Sequence, residues 1–186
     1  MYKYIFLAFQ YFTKDIEGLK YFNLYNDQYN NSKADSINYP AILVEFGFSD
    51  AEQYPNKIQM FDMTLTLHLA TDIYNNFKTG DIQQIKALEH LDLLTDLYKA
   101  LENKSSDDLP NELQSEFFNI GHIHRKSIEM ISNYNAVKVT KNAFIFRFTD
   151  ASASPVYDKT YADIELHTNI GNVEQEKITL IVNPNK

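Results

Sequence analysis

The stretch QMFDMTLTLHLA, residues 59–70, decides how this chain folds. Phe61, Met63, Leu65, Leu67 and Leu69 are apolar, and Asp62, Thr64, Thr66 and His68 between them are polar. Successive side chains of a strand point to opposite faces, so strict period-two alternation marks a strand with one face in a core. The polar face is left for solvent, a ligand or another copy of the chain.

Just upstream, Pro40 opens AILVEF, residues 41–46, which is apolar at nearly every position. Such runs belong to strands covered on both faces, near the middle of a sheet. GFSDAEQYPNK, residues 47–57, reads as a turn-rich connection of about a dozen residues between the two strands. The pair then forms an antiparallel hairpin with a long arm and a hydrophobic tip around Phe48 and Tyr54. Further back, Ile5, Phe9, Phe12, Ile16 and Leu19 recur every three or four residues, as on the apolar face of an N-terminal helix. Gly18 is its stop signal. Tyr21, Leu24 and Tyr25 offer a brief pairing before a polar loop.

Downstream, ATDIYNNFKTGD, residues 70–81, reads as a loop whose Asp81 caps a second helix. The apolar positions of that helix are Ile85, Leu88, Leu91, Leu94, Leu97 and Leu101, with Glu89, Asp92, Asp96 and Lys99 outside. Residues 112–135 suggest a short helix and then a strand interrupted at Gly121. Val137 and Val139 begin the next strand, a turn is expected near Lys141–Asn142, and Phe144, Phe146 and Phe148 then alternate with Ile145 and Arg147. DASASPVYDK, residues 150–159, is small, polar and Pro-bearing, as linkers are. YADIELHTN and EKITLIV read as a last strand pair around a Gly171–Asn172 turn. The expected fold is therefore α+β: an antiparallel-rich mixed sheet packed against the N-terminal helix and a Leu-rich helix, with extra C-terminal strands. The expected domains are residues 1–150 and a β extension over 151–186.

Composition narrows the function. With 186 residues, 44% of them hydrophobic and 14% aromatic, the chain has enough material for one well-packed domain. A net charge of -8 repels phosphate and argues against tight non-specific DNA binding. The absence of cysteine excludes disulfides, thiolate chemistry and Cys-bearing zinc sites. MYKYIFLAFQYF has one lysine and a short apolar run broken by Gln10, and reads as neither a secretory leader nor a membrane span. Synthesis and folding in a cytoplasm is the expectation.

Catalytic signals are sparse. His122 and His124 stand two apart, and on a strand both imidazoles would project to one face and reach one ion. A third ligand would have to come from His68, His90 or His167, and no carboxylate stands at a set spacing, so ordinary surface histidines are the commoner reading. Asp107 and Asp108 sit in a Ser/Asp connector. The five glycines make no phosphate loop, and no serine sits in a Gly-x-Ser-x-Gly elbow. No catalytic residue, metal ligand or cofactor is assigned.

Charge is unevenly distributed. Ala87 to Glu116 holds eight acidic residues and two lysines, whereas Ile120 to Asp150 holds five basic residues and two acidic. Opposite charges on neighbouring segments can be settled within one subunit, which is the more common outcome. They also suit head-to-tail contacts between subunits, which close into a ring when the rotation permits.

The order of elements, with YPAILVEF, then FDMTLTLHLA, then ALEHLDLLTDLYKALEN and a late FIFRFTD, resembles the tail-terminator and tail-completion proteins of tailed bacteriophages. The likeness covers residues 1 to about 150. It implies a structural protein of the virion, made in the host bacterial cytoplasm. Its subunits would form a ring, a hexamer, that caps the tail tube, stops its growth and joins it to the head–tail connector. The implied partners are the chain itself, the tail tube protein and the connector protein, with DNA passing through unspecifically and no membrane. Asp62, Thr64, Thr66 and His68 then become candidates for subunit or lumen contact. Phe48 and Tyr54 become candidates for gripping the ring below, and Arg125 and Lys126 for charge-matched contact. The alternatives are a metal-dependent enzyme using His122 and His124, and a monomeric binding module.

Overall fold

The alternating stretch is strand β3, Gln59–Asp72, at the centre of the sheet in a computed structural model of the chain. The structure describes residues 1–28, 37–72, 82–134 and 137–154. The chain divides into a unit spanning Met1–Ser154 and a second spanning Pro155–Lys186, which lies outside the described residues, as do the expected C-terminal strands. The first unit is α+β. Helix α1 (Tyr2–Thr13) leads to β1 (Tyr21–Leu24), β2 (Ala41–Gln53) and β3, then to helix α2 (Ile82–Leu101), β4 (Phe118–Ile120), β5 (His124–Tyr134) and β6 (Val137–Asp150). The sheet order is β1-β2-β3-β6-β4, with β5 also paired to β6. Among the described strands only β1 with β2 is parallel; the other pairings are antiparallel.

The odd positions of β3 face both helices. Met63, Leu65, Leu67 and Leu69 are buried with Ile42 and Val44 of β2, Phe144, Phe146 and Phe148 of β6, Ile5 and Phe9 of α1, and Leu93, Leu94, Leu97 and Leu101 of α2. Period-two burial on the strands meets period-3.6 burial on the helices, which is the physical basis of a two-layer unit. At its start β2 is covered on both sides, as AILVEF suggested. Ile42 and Val44 join this core, while Ala41 and Leu43 join a smaller cluster with Ile37, Ala70 and Val139 on the opposite face.

Four local expectations are corrected. The connection 47–57 is mostly strand. β2 runs to Gln53, opposite Gln59, with a register shift between Phe48 and Ala51. The turn is only a short 3-10 turn at Pro55–Lys57, where Asn56 and Lys57 adopt positive φ and the Tyr54 N–H donates to Ile58 O at 2.8 Å. Phe48 therefore sits within the strand, opposite Met63, and not at the tip; its side chain is outside the described residues. The turn expected at Lys141–Asn142 is absent, and β6 passes straight through it. Asn142 faces Leu67 on one side and Ile128 on the other. Strands bonded on both flanks hold the backbone extended there, and Asn142 is buried with its Nδ2 donating to Thr140 O.

The third correction concerns α2. Leu94, Leu97 and Leu101 are buried as expected, but Leu88 is 51% and Leu91 41% exposed. The buried stripe is His90, Leu93, Leu94, Leu97 and Leu101. Positions spaced by three throughout drift about 60° per step around a helix of 3.6 residues per turn, so 88 and 91 rotate out of the face that 94 and 101 share. Asp81 and the loop residues 73–80 lie outside the described residues. After α2, Ser105 forms a capping box with Asp108, and the Ser106 hydroxyl accepts from the Ile120 N–H at 2.7 Å, tying this turn to β4. The strand 118–134 is interrupted at 121–123 as expected. The Gly121 N–H donates to Arg147 O, and a Cβ there would lie 3.2 Å from that same oxygen. The short helix expected before it is a single 3-10 turn, Asn111–Leu113.

Candidate functional site

The even positions of β3 carry the candidate contact residues, and the structure divides them. Asp62 lies at the hairpin end of the face and pairs with Arg147 of β6, whose Nε donates to Asp62 Oδ1 at 3.1 Å. That neighbour raises the Arg147 guanidinium above its ordinary value, first through the hydrogen bond and then through the charge. Beside them the Tyr54 hydroxyl donates to Glu52 Oε2 at 3.0 Å, which pushes the phenol up. Glu52, Met60, Phe61, Asp62 and Arg147 line a shallow dent. Thr64 and Thr66 are half-buried in the middle of the face, and Gly47 stands across from Thr64, where a Cβ would approach the Thr64 carbonyl to 3.2 Å.

His68 is different. It is 1% exposed, with its ring stacked on Tyr25 at 4.1 Å and 17° and its Nε2 at 2.8 Å from Glu45 Oε2. Expected on a contact face, His68 is instead beneath Tyr25, so it offers no surface to a neighbour. Burial lowers its pKa, opposed by the Glu45 hydrogen bond and charge. The physical reason lies outside β3: β1 pairs alongside β2, and the Tyr25 N–H bonds to Val44 O just beyond it, which brings the aromatic ring over this end of the sheet.

Arg125 and Lys126 also separate. The Arg125 guanidinium sits 4.0 Å over the Tyr98 ring of α2, and its backbone N–H donates to Glu102 Oε2 at 3.1 Å. Lys126 is exposed, where the β5 register shifts against β6 between Arg125 and Ser127. Part of the charge asymmetry is thus settled within the chain, since acidic Glu102 of the turn after α2 meets β5. The Glu102 carboxyl is held below its usual range, first by the hydrogen bond from His124.

The paired imidazoles do not converge. His122 Nδ1 lies 3.2 Å from Asn103 O and His124 Nδ1 lies 3.1 Å from Glu102 Oε1. Among the described residues no three His, Asp or Glu side chains are grouped to hold a metal ion.

One buried polar cluster was not foreseen. His90 of α2 is fully buried, with Nδ1 2.9 Å from Thr71 Oγ1 and Nε2 2.7 Å from Thr140 Oγ1. A neutral imidazole has one donor and one acceptor nitrogen, so one threonine donates to the ring and the other accepts from it. Burial, reinforced by the Lys138 charge, lowers the His90 pKa to about 4. The signal was present in the sequence: His90 stands four, seven and eleven residues before Leu94, Leu97 and Leu101, on their stripe. Satisfied on both nitrogens and walled in by the core, it is a structural histidine.

No family model matches the chain, and no curated protein matches its sequence. Among the described residues no helix is long and apolar enough to cross a membrane.

Proposed function

We propose that this chain acts by assembly and not by catalysis, as a phage neck protein of the tail-terminator type. Its subunits would form a ring that ends the tail tube and meets the head–tail connector. The observation that carries this reading is the hairpin half of the sheet, which among the described residues is covered on one face only. Both helices pack on the odd face of β3, and on the even face Asp62, Thr64 and Thr66, with Ile145 and Arg147 alongside, remain open or half-open among the described residues. A sheet face with mixed threonine, charge and an exposed isoleucine suits contact with a neighbour. The order of helices and strands supports the same assignment, and the net charge of -8 suits a passage that must not retain DNA.

Tail tubes mixed with the purified chain and viewed by electron microscopy test the proposal. Rings seated on tube ends are the expected outcome, and charge reversal at Arg147, which is exposed on the even face, should weaken their formation while the circular dichroism stays unchanged. Tubes that remain bare and continue to grow would overturn it.

A further inference from the structure

The side of the unit opposite β1 presents a second surface, separate from the β3 face. β5 bonds to β6 on one flank, and no described strand covers its other flank. Lys126, Ser127, Ile128, Glu129 and Met130 are all exposed, with Ile128 at 44% and Met130 at 58%. Ile128 and Met130 oppose Asn142 and Thr140, so they project on the same side of the sheet as α2.

Helix α2 runs antiparallel to β5 on that side. Glu102 reaches His124 and the Arg125 N–H, Tyr98 lies under Arg125, and His90 reaches Thr140, the partner of Met130. Leu91 stands two helical turns before Tyr98 and so shares its flank of the helix, the one that looks toward β5. Exposed Leu91 of the helix and exposed Ile128 and Met130 of the strand therefore belong to one stretch of surface. Unpaired strand edges recruit other strands, and proteins usually blunt them with charge, proline or a covering element. Here register shifts between Arg125 and Ser127 and between Ile131 and Tyr134 blunt the two ends, and among the described residues the apolar centre between them is left uncovered.

We propose that this surface is the contact between two copies of the chain, with β5 of one pairing antiparallel to β5 of the other about a two-fold axis near Ile128. Three features select a second copy. A two-fold contact sets the apolar stretch against itself, so Ile128, Met130 and Leu91 are covered by their own counterparts. The charges along the strand are polarised: Arg125 and Lys126 precede Ile128, while Glu129 follows it. Antiparallel alignment brings the basic end of each strand to the acidic end of the other. The backbone N–H and C=O groups along the open flank supply the ladder that makes a strand pair specific. This inference does not depend on the ring proposed above, because it uses a different face.

The test exploits the absence of native cysteine. In the full-length chain, Ile128→Cys treated with a short bis-maleimide should give a dimer band, whereas Glu116→Cys, exposed near β4, should not. Sedimentation velocity across a concentration series should show a monomer–dimer equilibrium, and Ile128→Asp should raise its midpoint at least about tenfold while leaving the circular dichroism unchanged. A chain that stays monomeric throughout the series, including one whose β5 amides are protected from exchange in that monomer, overturns the proposal. So does association that Ile128→Asp leaves untouched. Rings on tail tubes without the Ile128 cross-link would refute this contact and leave the neck reading standing; the cross-link without rings would do the reverse.

Discussion

The two faces of β3 are built from the same dozen residues and reach different ends. The odd face is uniform: Met63, Leu65, Leu67 and Leu69 are all at most 1% exposed, because both helices lie across it. The even face is graded, from exposed Asp62 through half-buried Thr64 and Thr66 to His68 beneath Tyr25. Alternation in sequence separates two faces but does not say that the second face is wet. That depends on what another part of the chain lays over it.

The two buried histidines, one on each side of the sheet, extend the contrast. His68 has a carboxylate beside it and His90 has only two threonine hydroxyls, with Lys138 near enough to oppose its charge. Burial lowers both pKa values. Glu45 offsets part of the effect for His68, and nothing does so for His90. Neighbouring groups, and not burial alone, decide which imidazole stays neutral as the pH falls.

The largest test of the contrast replaces adjacent residues on opposite faces. Leu65→Asp places an unpaired carboxylate in the core and should cost more than about 4 kcal/mol, abolishing the folded state in a urea titration. Thr64→Asp, one residue away and half-buried, should leave a cooperative transition. Comparable losses at both positions would show that the even face is as closed as the odd one.

His90→Ala should come next. Two threonine hydroxyls lose their partner and a cavity opens, for a cost of about 2–3 kcal/mol. The same variant tests the acid response. The folded-state pKa of about 4 lies below the ordinary 6.5, so the unfolded chain takes up this proton first. The stability tied to neutral His90 is complete above pH 6.5 and is lost as pH falls toward about 4, with a slope of at most ~1.4 kcal/mol per pH unit. Thermal melts from pH 7 to 4 should therefore fall more steeply for the native chain than for His90→Ala. Parallel curves would assign the acid sensitivity elsewhere.

The smallest effect belongs to the open end of the even face. Arg147→Ala removes an exposed ion pair that solvent and salt already screen, so the melting midpoint should not move beyond the resolution of a thermal scan. A clear loss would mean that Arg147 is held in a tighter network than its exposure indicates.

Several elements were legible because their signals are local. Alternation placed β3, continuous apolarity placed the start of β2 between two covered faces, and Phe144, Phe146 and Phe148 marked the core side of β6. The candidate contact residues were legible as a polar row but not as a graded one. His68 could not be separated from Thr64 without knowing that β1 pairs beside β2 and carries Tyr25 over it. The loop expected at 47–57 failed for a related reason: a polar hairpin arm exposed on both sides has no periodicity to read, although its ladder continues to Gln53. The turn expected at Lys141–Asn142 failed because two polar residues look like a break until strands bond on both flanks.

By itself, then, the amino-acid order determined the α+β class, the central strand and which of its faces is apolar, since those follow from side-chain periods of 2 and 3.6 within short windows. Tertiary structure alone decided that His90 is clasped between two threonines, that His68 is roofed by Tyr25, that Leu88 and Leu91 face outward, and that no described strand covers the outer flank of β5. Each of these depends on contacts between residues far apart in the chain, and no local pattern of polarity encodes which distant surface arrives to cover it.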